Sequence, residues 1–202
     1  MDVKEKFLRM YNAIIERPGA DRLLEWMEGN GFFTAPASTK YHGAYEGGLA
    51  EHSVNVCTRL DSLWFDLVRC GRKEKYSLET IAVCGLLHDL CKIDAYKTEM
   101  KNVKGEDGKW QQVSAYTYTN NFPMGHGEKS VYLIQRFIKL TEEEALAIRW
   151  HMGGFDHAVR GGSYDINNAY NQSELAAMLH IADMMATYID ERQENGQDKD
   201  LH

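Results

Sequence analysis

Along most of this chain apolar residues recur every three or four positions, a spacing that predicts helices. Phe7, Leu8, Met10, Tyr11, Ile14 and Ile15 form a first stripe, which Pro18-Gly19 stops. Leu23, Leu24 and Met27 form a shorter second stripe, ended by Gly29-Asn30-Gly31. Residues 33–45 read as a loop. A long helix is expected from Gly47 or Gly48 to Gly71, with Leu49, His52, Val56, Leu60, Leu63 and Leu67 on one face. The next runs from about Leu78 to His88 through Ile81, Cys84 and Leu87.

Between about Tyr96 and Tyr118 the pattern changes. Met100, Val103, Val113 and the alternating Tyr116/Tyr118 flank Gly105-Glu106-Asp107-Gly108, which predicts a β-hairpin turning at Asp-Gly. Helical spacing then returns from about Gly127 to Ile138. Thr141-Glu142-Glu143-Glu144 matches a capping box for a helix ending near Trp150. Gly153-Gly154 and Gly161-Gly162 bound a segment read as a flexible loop, and a last helix is expected from about Ser173 to Asp190. The fold class is therefore all-α with a small hairpin insertion at about 96–118. It is read as a single domain over 1–190, with a helical extension at 1–40 and a polar tail at 191–202. Trp26, Trp64 and Trp110 are expected to pack in the core or on the hairpin.

Composition narrows the function classes. The chain has 202 residues, enough for one domain with a full core. A net charge of -7 argues against duplex DNA, whose binding depends on neutralising many phosphates. It leaves room for a small phosphorylated substrate, because a metal supplies local positive charge. No apolar run approaches the roughly 20 residues of a membrane span. The first residues lack the apolar core of a signal peptide. Cys57, Cys70, Cys84 and Cys91 make no C-x-x-C pair, and three of the four lie in apolar helical stretches as small hydrophobes. A reduced, cytoplasmic protein is expected.

The chemistry concentrates in Glu51-His52, His88-Asp89, Gly125-His126-Gly127, Trp150-His151 and Ala182-Asp183. His52, His88, His151 and Asp183 each fall on the apolar face of their helix and point inward. A lone inward histidine usually needs no more than a hydrogen-bond partner. Several of them beside two inward aspartates need a counter-charge, and a divalent cation supplies it. His88 and Asp89 are consecutive, so both reach one ion only where their helix ends, near Leu90 to Ile93.

Three segments carry a resemblance. Residues Tyr41-His42-Gly43-Ala44-Tyr45-Glu46-Gly47-Gly48-Leu49-Ala50-Glu51-His52 look like the first motif helix of the HD-domain metal-dependent phosphohydrolase superfamily. Leu86-Leu87-His88-Asp89-Leu90-Cys91-Lys92 is similar to its His-Asp signature, and Leu179-His180-Ile181-Ala182-Asp183 resembles its closing aspartate helix. The Gly-Gly-Leu-x-Glu-His run is closest to the HD domain of bacterial 3′-to-5′ exoribonucleases. The resemblance spans roughly Tyr41 to Tyr188 and implies an HD-type helical bundle.

It also implies that His52, His88, Asp89 and Asp183 form a primary metal site, with His126 and His151 matching the ligands of members that hold a second ion. Many such members carry a His-His pair where this chain has His151-Met152, so one or two ions per chain stay open. Mn, Mg, Co, Fe and Ni all suit such ligands. The implied activity is hydrolysis of a phosphoester of a nucleotide or short oligonucleotide by metal-activated water. Asp89 would ligate and orient that water, and Lys92 would neutralise a phosphate oxygen. His42, His126, Lys129 and Arg149 are further candidates for contact with substrate. Two other readings stay open: a mixed-valence di-iron oxygenase, which shares the ligand set, and a non-catalytic nucleotide-binding module. The hairpin is read either as a lid or as the arm of a homodimer.

Overall fold

A computed structural model describes residues 1–105, 108–119 and 121–192 of the chain. Helices α1 (Val3–Ile14) and α2 (Ala20–Gly29) follow the two N-terminal stripes. The central helix α3 (Gly48–Arg69) carries the long stripe, and its Leu49, Val56 and Leu60 are fully buried. Each such side chain contributes roughly 1.5–3 kcal/mol through the water it sheds. Helix α4 (Leu78–Leu87) starts at Ser77, whose hydroxyl accepts from Thr80 N–H, and is buried along most of its length.

The hairpin forms where alternation predicts it. Strands β1 (Tyr96–Lys104) and β2 (Trp110–Tyr118) pair antiparallel, from Tyr96 opposite Tyr118 to Lys104 opposite Trp110. Glu106 and Asp107, in the expected turn, lie outside the described residues. Most of the hairpin stands clear of the bundle. Trp110, expected to pack, is instead 72% exposed, because among the described residues no helix covers the far end of the ribbon.

Helix α5 (His126–Gln135) and helix α6 (Glu142–Trp150) follow. The capping box of α6 is present in full, with Thr141 and Glu144 satisfying each other's backbone N–H. The segment read as a flexible loop is ordered in two pieces, a 3₁₀ turn at Gly153–Phe155 and a short α7 (His157–Arg160), and α8 (Asp165–Gln172) follows it. Asp156 caps α7 through Ala158 N–H, and Ile166 and Ala169 anchor α8 against Trp150. The last helix, α9 (Glu174–Met185), ends in a π-helical turn, Ala186–Asp190. Helices α3, α4, α6 and α9 enclose the core and present their polar positions to one interior point. Among the described residues no helix is long and apolar enough to cross a membrane.

Candidate metal centre

Two histidines reach that point by the same local device. His88 is the C-cap of α4 and His151 the C-cap of α6. The last carbonyls of a helix lack intrahelical partners. His88 Nδ1 donates to Gly85 O at 2.9 Å and His151 Nδ1 to Ile148 O at 2.7 Å. A carbonyl only accepts, so Nδ1 carries a proton in each ring and Nε2 is the atom turned inward. His52 lies in the second turn of α3, where its Nδ1 meets both carboxylate oxygens of Glu191 at 3.1 Å. Its Nε2 also faces inward.

Asp89 follows because α4 stops. At φ -101°, ψ 20° it leaves the helix and opens a 3₁₀ turn, Leu90–Lys92. That break lets two consecutive side chains address one point, as the spacing required. Asp183 reaches it from α9.

Two glycines let the helices come close enough. A Cβ on Gly85 would lie 2.4 Å from Cys57 Cα, so only glycine admits this approach of α4 to α3. A Cβ on Gly127 would lie 2.2 Å from Arg149 O, which holds α5 equally tight against α6. The first contact brings His52 and His88 together, and the second His126 and His151.

The ligand atoms then form one continuous array. His52 Nε2 lies 3.2 Å from Asp183 Oδ1, 3.3 Å from His88 Nε2 and 3.5 Å from Asp89 Oδ2. Asp89 Oδ2 is also 3.5 Å from His88 Nε2. Asp89 Oδ1 turns the other way, 2.7 Å from His126 Nε2 and 3.4 Å from His151 Nε2. One carboxylate thus divides its two oxygens between two sets of imidazoles. His52, His88 and Asp183 could hold a metal ion, as could His88, Asp89 and His151, and Asp89, Cys91 and His126.

Lone pairs that face one another and face carboxylates repel unless a cation sits among them. Without a metal, the protein supplies part of that charge itself. Lys92 Nζ lies 2.6 Å from Asp89 Oδ2, a counter-charge three residues along the chain. Burial alone would depress His52, but its bonds to Asp183 and Glu191 outweigh it and raise the imidazole to about 9. Burial likewise opposes ionisation of Asp89, yet Lys92 and His88 hold its carboxyl well below the usual range. Burial lowers His88 and His126. His151 Nε2 remains buried and without a hydrogen-bond partner. A donor set of nitrogen and carboxylate oxygen with one orphaned imidazole fits a divalent cation.

The other sequence candidates fall around this array. His42 lies 5.0 Å from His52 ring to ring, tilted at 40°, with a buried Nε2 that makes no hydrogen bond; burial first, and the His52 charge second, lower it to about 4. It lines a cavity of about 470 Å³ with Lys40, Tyr41, Tyr188, Glu191 and Arg192. Lys129, on the first turn of α5, is half-buried. Arg149 stands apart from the array. Its guanidinium pairs with Glu128 at 2.6 Å and Asp156 at 2.9 Å and lies over Trp150. His180 donates to His151 O at 2.7 Å and so braces a ligand-bearing turn.

Two participants escaped the sequence. Glu191, read as the start of the tail, is nearly buried against His52 and Asn55, while residues 193–202 of that tail lie outside the described residues. His52, Asn55 and Arg59 form one stripe of α3; Arg59 pairs with Asp190 and fixes the π-helical turn that delivers Glu191. Cys91, read as a small hydrophobe, places its sulfur 3.4 Å from both ring nitrogens of His126.

Compared with known families, the chain matches the HD domain over residues 49–191, well over half its length. No curated protein and no solved structure matches it.

Proposed function

The chain belongs to the HD domain family, and on that footing we propose that it is a metal-dependent phosphohydrolase acting on a nucleotide or the end of a short oligonucleotide. The observation that carries this reading is the division of Asp89, with one oxygen toward His52 and His88 and the other toward His126 and His151. In this reading His52, His88, Asp89 and Asp183 hold the first divalent ion, and His126 and His151 lie where a second would be held. When bound, such ions polarise a phosphoester and lower the pKa of water toward neutrality.

The remaining work falls to this chain's own residues. Glu191 keeps the His52 proton on Nδ1 and aims Nε2 inward. The carbonyls of Gly85 and Ile148 do the same for His88 and His151. Lys92, 12% exposed at the rim, exchanges part of its contact with Asp89 for a phosphate oxygen. Asp183 and His126, with side chains 17% and 24% exposed, mark the side from which substrate arrives.

Support for a nucleotide comes from the cavity beside His42. Tyr41 and Tyr188 stand on its wall, 70% and 56% exposed, as faces on which a base can stack. Lys40 and Arg192 add cationic groups at the same wall, and Lys40 lies over the Tyr41 ring. The likeness of residues 47–52 to exoribonuclease HD domains points the same way.

The test is elemental analysis of the native protein together with a phosphoester panel run after each divalent metal is restored. Phosphate release that depends on Mn²⁺, Co²⁺ or Mg²⁺ is expected. Two irons per chain with turnover that consumes O₂ would replace this reading with the oxygenase. A chain that binds nucleotide but never releases phosphate would replace it with the binding module.

A further inference from the structure

We propose that Cys91 is a metal ligand, completing with Asp89 and His126 a thiolate-containing position that selects a borderline cation such as Zn²⁺ or Co²⁺ over Mg²⁺. The inference rests on the metal-binding part of the function proposed above and adds to it a sulfur donor and a metal preference.

Geometry carries it. Tetrahedral bonds of about 2.0 Å to nitrogen and 2.3 Å to sulfur set those two atoms roughly 3.5 Å apart. Cys91 Sγ lies 3.4 Å from both ring nitrogens of His126, so a turn of the imidazole or of the thiol brings Nε2 and sulfur onto one ion, and with Asp89 these atoms form a group able to hold one. Asp89 Oδ1 and His151 Nε2 are 3.4 Å apart, again the span of two donors on one small cation. Asp89 Oδ1 and His126 Nε2, at 2.7 Å, are close enough for a direct hydrogen bond, which an ion between them would replace. The second observation is independent of the cysteine. His151 Nε2 is fully buried, makes no hydrogen bond and faces Asp89 Oδ1.

The sulfur is also held in place. The 3₁₀ turn that follows Asp89 carries Cys91 two residues on, and its backbone N–H donates to Ser130 Oγ at 3.1 Å. Ser130 sits on α5, one turn beyond His126, so one helix positions both the imidazole and the thiol. Cys57 and Cys84 lie in the apolar interface between α3 and α4, and Cys70 is exposed at the end of α3. Neither setting places an imidazole against the sulfur. Thiolate is a poor partner for Mg²⁺ and a good one for zinc and cobalt.

The experiment titrates the metal-free full-length chain with Co²⁺ and follows absorbance. A thiolate-to-cobalt charge-transfer band in the near ultraviolet is expected in the wild type. It should be absent in Cys91→Ser, which should still bind cobalt at the His52, His88 and Asp183 side. X-ray absorption of the wild-type zinc form should show one sulfur neighbour at about 2.3 Å, a measurement that needs no variant. Cobalt bound without the band and without a sulfur neighbour overturns the thiolate ligand and leaves the phosphohydrolase reading standing. A band that survives in Cys91→Ser also overturns it. A chain that takes up no cobalt overturns both.

Discussion

Two buried clusters of charge lie within this bundle, and they solve the same problem differently. Arg17, in the turn after α1, reaches across to Glu144 and Glu79. Its Nη1 lies 2.9 Å from Glu144 Oε2 and its Nη2 3.0 Å from Oε1, and Glu79 accepts from the backbone N–H of both Glu16 and Arg17. Glu144 is fully buried, yet each of its oxygens has a partner. The second cluster joins His52, His88, Asp89, His126, His151 and Asp183. It has more donors than the chain's own charges can satisfy: Lys92 and the His52 imidazolium cover part of the carboxylate charge, and His151 Nε2 has no hydrogen-bond partner. A satisfied cluster ties elements together. An unsatisfied one, held rigid by helix ends and close-packed glycines, is a place for something the chain does not contain.

Removing one residue from each should separate the roles most sharply. Asp89→Ala takes away the carboxylate shared by both ligand sets. Metal bound per chain should fall to background and phosphoester turnover should drop by more than the roughly 100-fold seen for loss of a supporting residue. Circular dichroism should keep the wild-type helical signal. A variant that retains metal and full turnover refutes the assignment of the site.

Arg17→Ala should do the reverse. It leaves Glu144 buried without its cation, a loss that costs about 3–5 kcal/mol. For a chain of this size about 1 kcal/mol moves the Tm by roughly 2–4 °C, so a large drop in melting temperature is expected. Metal stoichiometry below the transition should match the wild type. If metal binding falls in step with stability, the two clusters are one cooperative unit and the contrast fails.

Glu191→Gln tests how far the metal cluster extends. The amide still accepts from His52 Nδ1 but carries no charge. Metal affinity should weaken by about 10-fold to 100-fold, with little change in melting temperature. Unchanged affinity by calorimetric titration would return Glu191 to a purely structural role.

That residue also shows what a linear reading can and cannot reach. His52 was legible because Leu49 and Val56 share its face, and His88-Asp89 because two adjacent ligands require a helix end. Both inferences use neighbours within one turn. Glu191 meets His52 across most of the chain, and nothing in Asp190-Glu191-Arg192 distinguishes a buried carboxylate from a solvated tail. Helix α8 was missed for a related reason, since its apolar anchors are two residues, Ile166 and Ala169, too few to show a period. Lys92 was noticed as a phosphate contact. Its bond to Asp89 is one that the spacing itself allows, since side chains three residues apart on a helical turn are neighbours. Arg149, named among the substrate candidates, has its guanidinium held by Glu128 and Asp156, partners that its place in the sequence does not announce.

The smallest effect, a drift in melting temperature with pH, should still differ in sign between the clusters. Glu79 has its carboxyl held below the usual value; burial opposes this, and the Glu16 N–H and Arg17 bonds prevail. A depressed folded-state pKa gives stability that is present above the unfolded value and is lost as pH falls through the folded one. The Arg17 cluster therefore weakens on the acid side alone. His52 in the metal-free protein is raised to about 9. A raised pKa gives stability that is complete below the unfolded value of about 6.5 and is lost as pH climbs through the folded one. With chelator present, the Tm should fall by roughly 5–10 °C between pH 7 and pH 9.5, as His52 gives up the proton that stands in for a cation. A saturating divalent metal should abolish that fall, because the ion then supplies the charge at every pH in the range. A decline of equal size with and without metal would place its origin elsewhere in the bundle and remove the distinction between a cluster that carries its own counter-charge and one that waits for it.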